Sequence, residues 1–426
     1  MKTQVLVAQL GARKHYQEPA LFHRWGILDR LYTDFYSGDS ALAHLFRHPK
    51  IYHYLPNPIK RVLERYDSGL KNAKVIHFPR FGYKYVQSLK TASPQQASQI
   101  FVEGGQNFCQ QIIKHIIQYG IGQTNTIYGF NSACLELFTY AKERGIRCIL
   151  DQTLADYSLV HELLLEEEKR WSGWSLIPFT VSKADVQLRE REHHEQDMAD
   201  NIICGSSFVK NSLIIRGVDP NKISVIPFGR VKDEKEGKNQ HKIISIGSKS
   251  QEKLKILFVG SVGLRKGIPY LLEALRQIKG KILFDCKIVG SIEIKAEYIA
   301  EYSDVSSFTG RLPRSQIKDL YIWADVFVLP SLCEGSAMVT YEALSLGVPI
   351  ITTYNSGSVV RDGVDGYIVP IRDAKAIAQQ LLKIYEIKIN QHQISNFYGN
   401  KMNTLIYLQN LLQDSEIKLE QILSSI

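Results

Sequence analysis

The stretch from Phe327 to Pro349, FVLPSLCEGSAMVTYEALSLGVP, constrains this chain more than any other. An apolar run, Val326 to Leu329, ends at Pro330; a polar loop carrying Glu334 follows, then a helix-like segment carrying Glu342 that closes at Gly347 and Pro349. Glycine just past a helix and proline soon after are stop signals. The unit reads as strand, loop, helix. On one helix, glutamates eight positions apart would sit about 80° from each other around the axis. A loop-to-helix placement brings them to one crevice instead, beside a helix N-terminus whose free N–H groups suit a phosphate. That crevice fits a nucleotide-sugar: one Glu for the sugar, backbone donors for the pyrophosphate, the other Glu for ribose hydroxyls.

Short apolar runs alternate with helix-like stretches throughout, which predicts a doubly wound α/β chain. In the first half the expected strands are Gln4–Gln9, Val75–Phe78, Thr126–Tyr128, Cys148–Asp151, Asn201–Cys204 and Ile223–Ile226. Helices are expected at about Pro94–Tyr119, Ser132–Arg144, Thr153–Trp171, Ser182–Met198 and Ser206–Arg216. The second half reads as strands Leu254–Val259, Phe284–Val289, Ser307–Phe308, Val326–Leu329 and Val348–Thr353, with helices Pro269–Ile278, Ser315–Trp323 and Ala374–Tyr385. Regular succession of strand and helix means parallel pairing with right-handed crossovers. At 426 residues the chain holds two domains, each large enough for its own core. We place them at 1–229 and 254–393, with a polar linker at 230–253 and a helical tail at 394–426 that packs back on the first domain.

No apolar run reaches the length of a membrane span, and Arg13 and Lys14 follow the first one too soon for a signal peptide. The first run is therefore read as a buried strand of a cytoplasmic protein. Six cysteines are scattered through apolar segments without CxxC spacing, which indicates reduced thiols and neither disulfides nor zinc. Cys333 beside Glu334 lacks any recognisable His partner for a nucleophile's role. The net charge of +9 is concentrated: His44 to Lys90 holds ten Lys or Arg against Glu64 and Asp67, with eight aromatics interleaved. Such a segment is either a solvated surface or a contact for an anionic membrane or a phosphorylated acceptor. No nucleic-acid motif accompanies it, so nucleic acid is not expected as a partner.

Immediately after the first strand of the second domain comes Gly260-Ser261-Val262-Gly263-Leu264-Arg265-Lys266-Gly267. Glycine lets backbone approach a diphosphate, and the paired cations offset its charge. The spacing of Gly260, Gly263 and Gly267 does not match the dinucleotide fingerprint G-x-G-x-x-G, and no P-loop sequence is present.

Taken with the closing Ala343-Leu344-Ser345-Leu346-Gly347-Val348-Pro349, the Glu334/Glu342 segment resembles the donor-site signature (E-x7-E) of the retaining glycosyltransferases of family 4, which have the GT-B fold. The resemblance covers about Asn201 to Tyr385 well, and the first domain only in layout. It implies two Rossmann-like doubly wound domains facing across a cleft. It further implies transfer of a sugar, with retention, from a nucleoside-diphosphate sugar to a carbohydrate or lipid-linked hydroxyl acceptor in polysaccharide or glycolipid synthesis. Lys266 carries over from the family's loop. The family's arginine usually lies where Ser261 stands, so Arg265 is expected to supply that charge. By the same resemblance Glu334 orients the sugar, Glu342 binds ribose, Gly263, Gly290 and Arg311 line the nucleotide, and Gly335, Ser336 and Ala337 present the helix N-terminus. On the acceptor side the family's glycine loop corresponds to Gly11 through Tyr16, including Arg13; Asp151 or His161 stands near the place of a family histidine. No DxD motif is present, so no obligatory metal or other cofactor is expected. Peripheral contact with the inner face of the membrane is expected through the basic segment. Two other classes remain open at this point: an NAD(P)-dependent Rossmann oxidoreductase, and a non-catalytic sugar-nucleotide or polysaccharide-binding protein.

Overall fold

Each apolar run picked out above becomes a strand of one of two parallel sheets in the computed structural model, which describes residues 2–38, 41–227, 253–390 and 401–424. The first sheet comprises β1 (Val5–Gln9), β2 (Leu28–Thr33), β3 (Val75–His77), β4 (Thr126–Phe130), β5 (Arg147–Gln152), β6 (Asn201–Cys204) and β7 (Ile223–Val225). Its order is β3-β2-β1-β4-β5-β6-β7. The second comprises β8 (Leu254–Val259), β9 (Phe284–Val289), β10 (Ser307–Gly310), β11 (Val326–Leu329), β12 (Ile350–Thr353) and β13 (Gly366–Val369), in the order β10-β9-β8-β11-β12-β13. Both are doubly wound sheets of Rossmann type. The chain reverses direction of winding beside β1 in one and beside β8 in the other. Ligands of such sheets bind outside the carboxyl ends of the strands at that switch point.

The structure adds elements that apolar patterning does not reveal. β2 was absent from the expected strands because Asp29 and Arg30 interrupt its apolar run. Arg30 is nonetheless buried, its charge met by Asp29 Oδ2 at 2.5 Å and by the Gly120 carbonyl at 3.0 Å. β13 is likewise absent from the expected strands, and it lies at one edge of its sheet. The helix Pro79–Thr91 and the shorter helices Ala41–Arg47, Pro49–Tyr52 and Asn57–Leu63 fill the basic segment. The expected linker at 230–253 lies outside the described residues except for Lys253.

Two segments tie the domains together. After the helix Tyr157–Arg170, the chain crosses to the second domain and inserts Trp174 into that domain's core. Trp174 stacks on Tyr298 with ring centroids 4.4 Å apart. Leu176 N donates to Glu293 O at 2.9 Å, and Lys295 N to Trp174 O at 2.9 Å. Arg372 of the second domain binds Glu166 Oε2 at 2.6 Å and Glu167 Oε1 at 2.5 Å, both on the helix Tyr157–Arg170. The last helix, Lys401–Ser424, is the second tie. Leu408 belongs to the second domain's core, whereas Leu419 and Leu423 belong to a cluster of the first. Thr404 Oγ1 bonds Asp365 at 2.7 Å near one end; Thr3 Oγ1 bonds Leu423 O at 2.9 Å near the other. Trp174→Ala is expected to cost about 3 kcal/mol or more, the range for emptying a buried aromatic site. Chemical denaturation should show the second domain losing its cooperative transition first; a change below about 1 kcal/mol would mean the crossing segment is not packed as described.

Candidate functional site

At the switch point of the second sheet, β8 ends in the glycine loop and β11 in the loop of the Phe327–Pro349 segment, and the two loops bind each other. Gly267 makes this possible. It adopts φ +70°, and a Cβ there would lie 2.1 Å from the Pro330 carbonyl oxygen. Leu332 N donates to Arg265 O at 2.9 Å. Arg265 Nη1 and Lys266 Nζ then converge on a single oxygen, Glu334 Oε1, at 2.6 and 2.7 Å. Arg265 also reaches Cys333 O at 3.3 Å. Lys266 is buried, and burial lowers its pKa below the ordinary lysine value although Glu334 pulls the other way. Two cations against one carboxylate leave a local surplus of positive charge, the condition a diphosphate requires.

The helix Met338–Ser345 starts at Ala337 with no side-chain cap. Ala337 N is already taken by Ser356 O at 3.1 Å, so of the three positions expected to present free donors, this one is engaged. Ser336 Oγ lies 3.0 Å from the Tyr341 hydroxyl. Glu342 accepts from Tyr321 OH at 3.2 Å. The two glutamates therefore have different company, Glu334 with the cations and Glu342 with a buried tyrosine of the neighbouring helix. Gly290 N donates to Gly310 O at 3.0 Å, which sets the turns after β9 and β10 side by side, with Arg311 exposed next to them. Gly263 packs against Glu293, whose carboxylate a Cβ would meet at 2.6 Å.

The first domain supplies the facing wall. A Cβ on Gly335 would stand 1.8 Å from Thr153 O, and Ser206 Oγ donates to Gly335 O at 2.6 Å. Cys333 is fully buried in the hydrophobic cluster of the first domain, where burial pushes its thiol up to about 12. It is an apolar plug there, and a thiolate nucleophile is not available at neutral pH. Thr153 and Ser206 were not singled out in the sequence. Ser206 carries one readable signal, the helix cap it forms with Val209 N at 3.3 Å.

After β1, Gly11 N donates to Asp34 Oδ1 at 2.9 Å. Arg13 reaches Asn131 Oδ1 at 3.1 Å and Ser132 Oγ at 3.2 Å. The next three residues, Lys14, His15 and Tyr16, all take left-handed backbone conformations, at φ 47°, 51° and 62°. Each costs about 1–3 kcal/mol and persists only where its surroundings dictate it. Here Lys14 Nζ is held by Asp151 at 2.5 Å and Glu18 at 3.1 Å, and buried Tyr16 donates to Phe35 O at 2.9 Å. His15 between them is exposed. Asp151 is fully buried and also accepts from Tyr128 OH at 2.6 Å, so its role in this geometry is to anchor the loop. His161 is buried between Tyr157 and Phe179, with its pKa lowered by burial.

Beneath this wall lies a buried acid. Glu192, on the helix Lys183–Met198, accepts from Asn131 Nδ2 at 2.6 Å and Gln152 Nε2 at 3.2 Å. Burial and neighbouring Glu195 push its carboxyl up to about 8. Its folded pKa thus exceeds the unfolded value of about 4.3. Stability falls as pH rises from about 4.3 to about 8, where the folded chain keeps a proton that the unfolded chain has lost. Glu192→Gln should remove that slope, raising the melting temperature relative to the native chain more at pH 8 than at pH 5.5; equal shifts at both would refute the assignment. Gly335→Ala should lift the loop from Thr153 and weaken nucleotide binding by about tenfold or more, measured by calorimetry.

Residues 253–386 match the protein family described as Glycosyl transferases group 1. The chain is 31% identical over 148 residues to the putative colanic acid biosynthesis glycosyltransferase WcaL of Salmonella typhimurium, covering 32% of this chain and 36% of that protein. It is 30% identical over 187 residues to an Escherichia coli UDP-Gal:alpha-D-GlcNAc-diphosphoundecaprenol alpha-1,3-galactosyltransferase, covering 40% of this chain and 47% of the relative. The matches thus span less than half the length of these curated relatives. The crystal structure of Anabaena Alr3699/HepE in complex with UDP and glucose superposes with a TM-score of 0.57 at 14% identity, covering all of both chains. The architecture is GT-B, two Rossmann-like domains, with a Glycosyl transferases group 1 match across most of the second.

Proposed function

We propose that this chain is a retaining glycosyltransferase of family 4 that moves a sugar from a nucleoside-diphosphate sugar to a hydroxyl acceptor in polysaccharide or glycolipid synthesis. The observation that carries this reading is the convergence of Arg265 and Lys266 on Glu334 Oε1 at the switch point of the second sheet. A donor's diphosphate is a stronger partner for two adjacent cations than a single carboxylate. On arrival it takes over Arg265 and Lys266 and frees Glu334 to accept from a sugar hydroxyl. Glu342 is assigned to the ribose, and the turns at Gly290 and Arg311 to the base.

The sugar's anomeric C–O bond to phosphate breaks, and the acceptor oxygen bonds the same carbon from the same face. The acceptor proton passes to an oxygen of the departing diphosphate, so no protein nucleophile is required. Arg265 and Lys266 stabilise the charge that builds on the leaving group, the largest single electrostatic task in such a transfer. These cations do the work a metal would do elsewhere, and no obligatory metal enters the proposal. Sucha reading is supported by the UDP and glucose bound to the Anabaena protein and by the UDP-galactose named for the Escherichia coli relative.

The latter's lipid-linked diphosphate acceptor gives the basic segment a role in this reading. Among the described residues no helix is long and apolar enough to cross a membrane. Arg80, Lys84 and Lys114 line a cavity of about 480 Å³ with Phe81 and Tyr85, and Tyr54 and Tyr83 are strongly exposed. We assign this side to peripheral contact with the anionic inner face of the membrane.

Donor hydrolysis across a panel of UDP-, GDP- and ADP-sugars should single out one donor, with turnover reduced at least about tenfold in Glu334→Gln. Absence of binding to every nucleotide-sugar, beside clear affinity for NAD(P), would overturn the proposal in favour of an oxidoreductase.

A further inference from the structure

The first domain contains a hydrogen-bond hub that the proposed chemistry does not yet use. Asn131 follows β4 directly and is 5% exposed. Its Oδ1 receives Arg13 Nη1 at 3.1 Å, Thr153 N at 3.1 Å and Thr153 Oγ1 at 2.8 Å. Its Nδ2 donates to Glu192 Oε1 at 2.6 Å. The amide orientation follows from the partners: a guanidinium can only donate, so oxygen must face Arg13 and nitrogen the carboxyl. Aspartate would satisfy the donors but offer Glu192 no N–H, and an aliphatic side chain would strand all of them.

The hub is immobilised from below. Glu195, one turn beyond Glu192, accepts from the backbone of Ser132, Cys134 and Leu135 at 2.6, 2.9 and 3.1 Å. Arg191 Nε donates to Ser132 O at 2.9 Å and its fork grips Glu136 at 2.7 and 2.6 Å. Ser132 itself is held at φ +70°. One helix, Lys183–Met198, thus fixes Asn131 and the loop that follows it, from Ser132 to Glu136.

From above, the same hub touches the interdomain seam. Thr153 offers its N–H and hydroxyl to Asn131 and its carbonyl to the close approach of Gly335. Arg13 and Gly335 therefore flank one Asn131–Thr153 pair. Arg13 spends two of its five N–H groups on Asn131 and Ser132, its guanidinium lies over the Phe130 ring 5.8 Å from the centroid, and its remaining N–H groups have no hydrogen-bond acceptor among the described residues. A half-buried guanidinium with spare donors beside the donor loop is built to meet an anion.

We propose that Asn131 is a positioning residue that aims Arg13 across the seam at the diphosphate of the donor held by the Gly335 loop. This rests on the reading of the site as a nucleoside-diphosphate-sugar site. It places one cation of the first domain opposite Arg265 and Lys266 of the second, so that the donor is gripped from both domains. Asn131 also holds Thr153 and Glu192, so what marks it as a positioning residue is that its effect on turnover runs through Arg13, which a merely structural asparagine would not show.

The test is a double-mutant cycle on donor hydrolysis, using whichever nucleotide-sugar the native chain turns over. Arg13→Ala should lower kcat by about tenfold or more, and Asn131→Ala should lower it by a similar factor. The double variant should be no slower than the slower single one, because both changes remove the same interaction. Losses that multiply, or an Arg13→Ala variant with native kcat, would overturn the proposal. Should Asn131→Ala fail to fold, Arg13→Ala and Arg13→Lys carry the test. Lysine keeps the charge without the fork, so it should recover only part of the lost kcat, and full recovery would contradict positioning by Asn131. A native chain that hydrolyses no nucleotide-sugar would instead sink the proposed function itself.

Discussion

The close approach of Gly335 to Thr153 governs how the two halves of this molecule work together. With a Cβ barred by a carbonyl oxygen 1.8 Å away, the loop lies flat on the first domain. Ser206 pins it through Gly335 O, and Cys333 plugs the hydrophobic cluster beneath. Glu334 is thereby fixed at the seam, where the glycine loop of β8 brings Arg265 and Lys266 to it. The charge cluster is therefore a property of both domains, although every one of its charges comes from the second.

On the proposed reading this cluster serves binding, and electrostatics explains why it contributes little to stability. Burying charge costs several kcal/mol per ion unless partners restore it, and two cations share one carboxylate oxygen here. Lys266 shows the cost in its lowered pKa. A dianionic ligand would balance the site better than Glu334 alone does. The Arg13–Asn131–Glu192 chain repeats the pattern on the facing wall, with a cation held in place by a neutral amide and a hydroxyl and its remaining donors left over. The crossing segment at Trp174 and the final helix hold the two walls to each other, each by contributing apolar residues to the neighbouring domain's packing.

What the sequence disclosed follows the physics of each element. β11 is an uninterrupted, fully buried apolar run, and β8 and β9 stay mostly apolar despite Lys255 in one and Asp285 and Lys287 in the other, so both their existence and their bounds could be read. β2 escaped because a local Asp29–Arg30 pair lets charges sit in a buried strand. The loop cations and Glu334 stood out because they lie in recognisable loops that follow strands, and the structure brings the three side chains together. Asn131, Thr153 and Glu192 did not, since their meaning lies in long-range contacts, such as the bond from Asn131 to Arg13 118 positions away, that no local pattern records. Asp151 and His161 were picked out by proximity to a strand end, and the structure buries both, Asp151 against Tyr128 and His161 between Tyr157 and Phe179. Trp174 is a similar case: a tryptophan in a polar stretch of the first half belongs to the core of the second.

The central claim is that the Arg265–Lys266–Glu334 cluster is the seat of a nucleoside diphosphate. The most direct measurement is calorimetric binding of UDP, GDP, ADP and NAD to the native chain and to Lys266→Ala. The account predicts that one nucleoside diphosphate binds at least about tenfold more tightly than its monophosphate or NAD, and that Lys266→Ala abolishes the preference. Binding of NAD alone, or of a nucleoside diphosphate with equal affinity to both proteins, would contradict it.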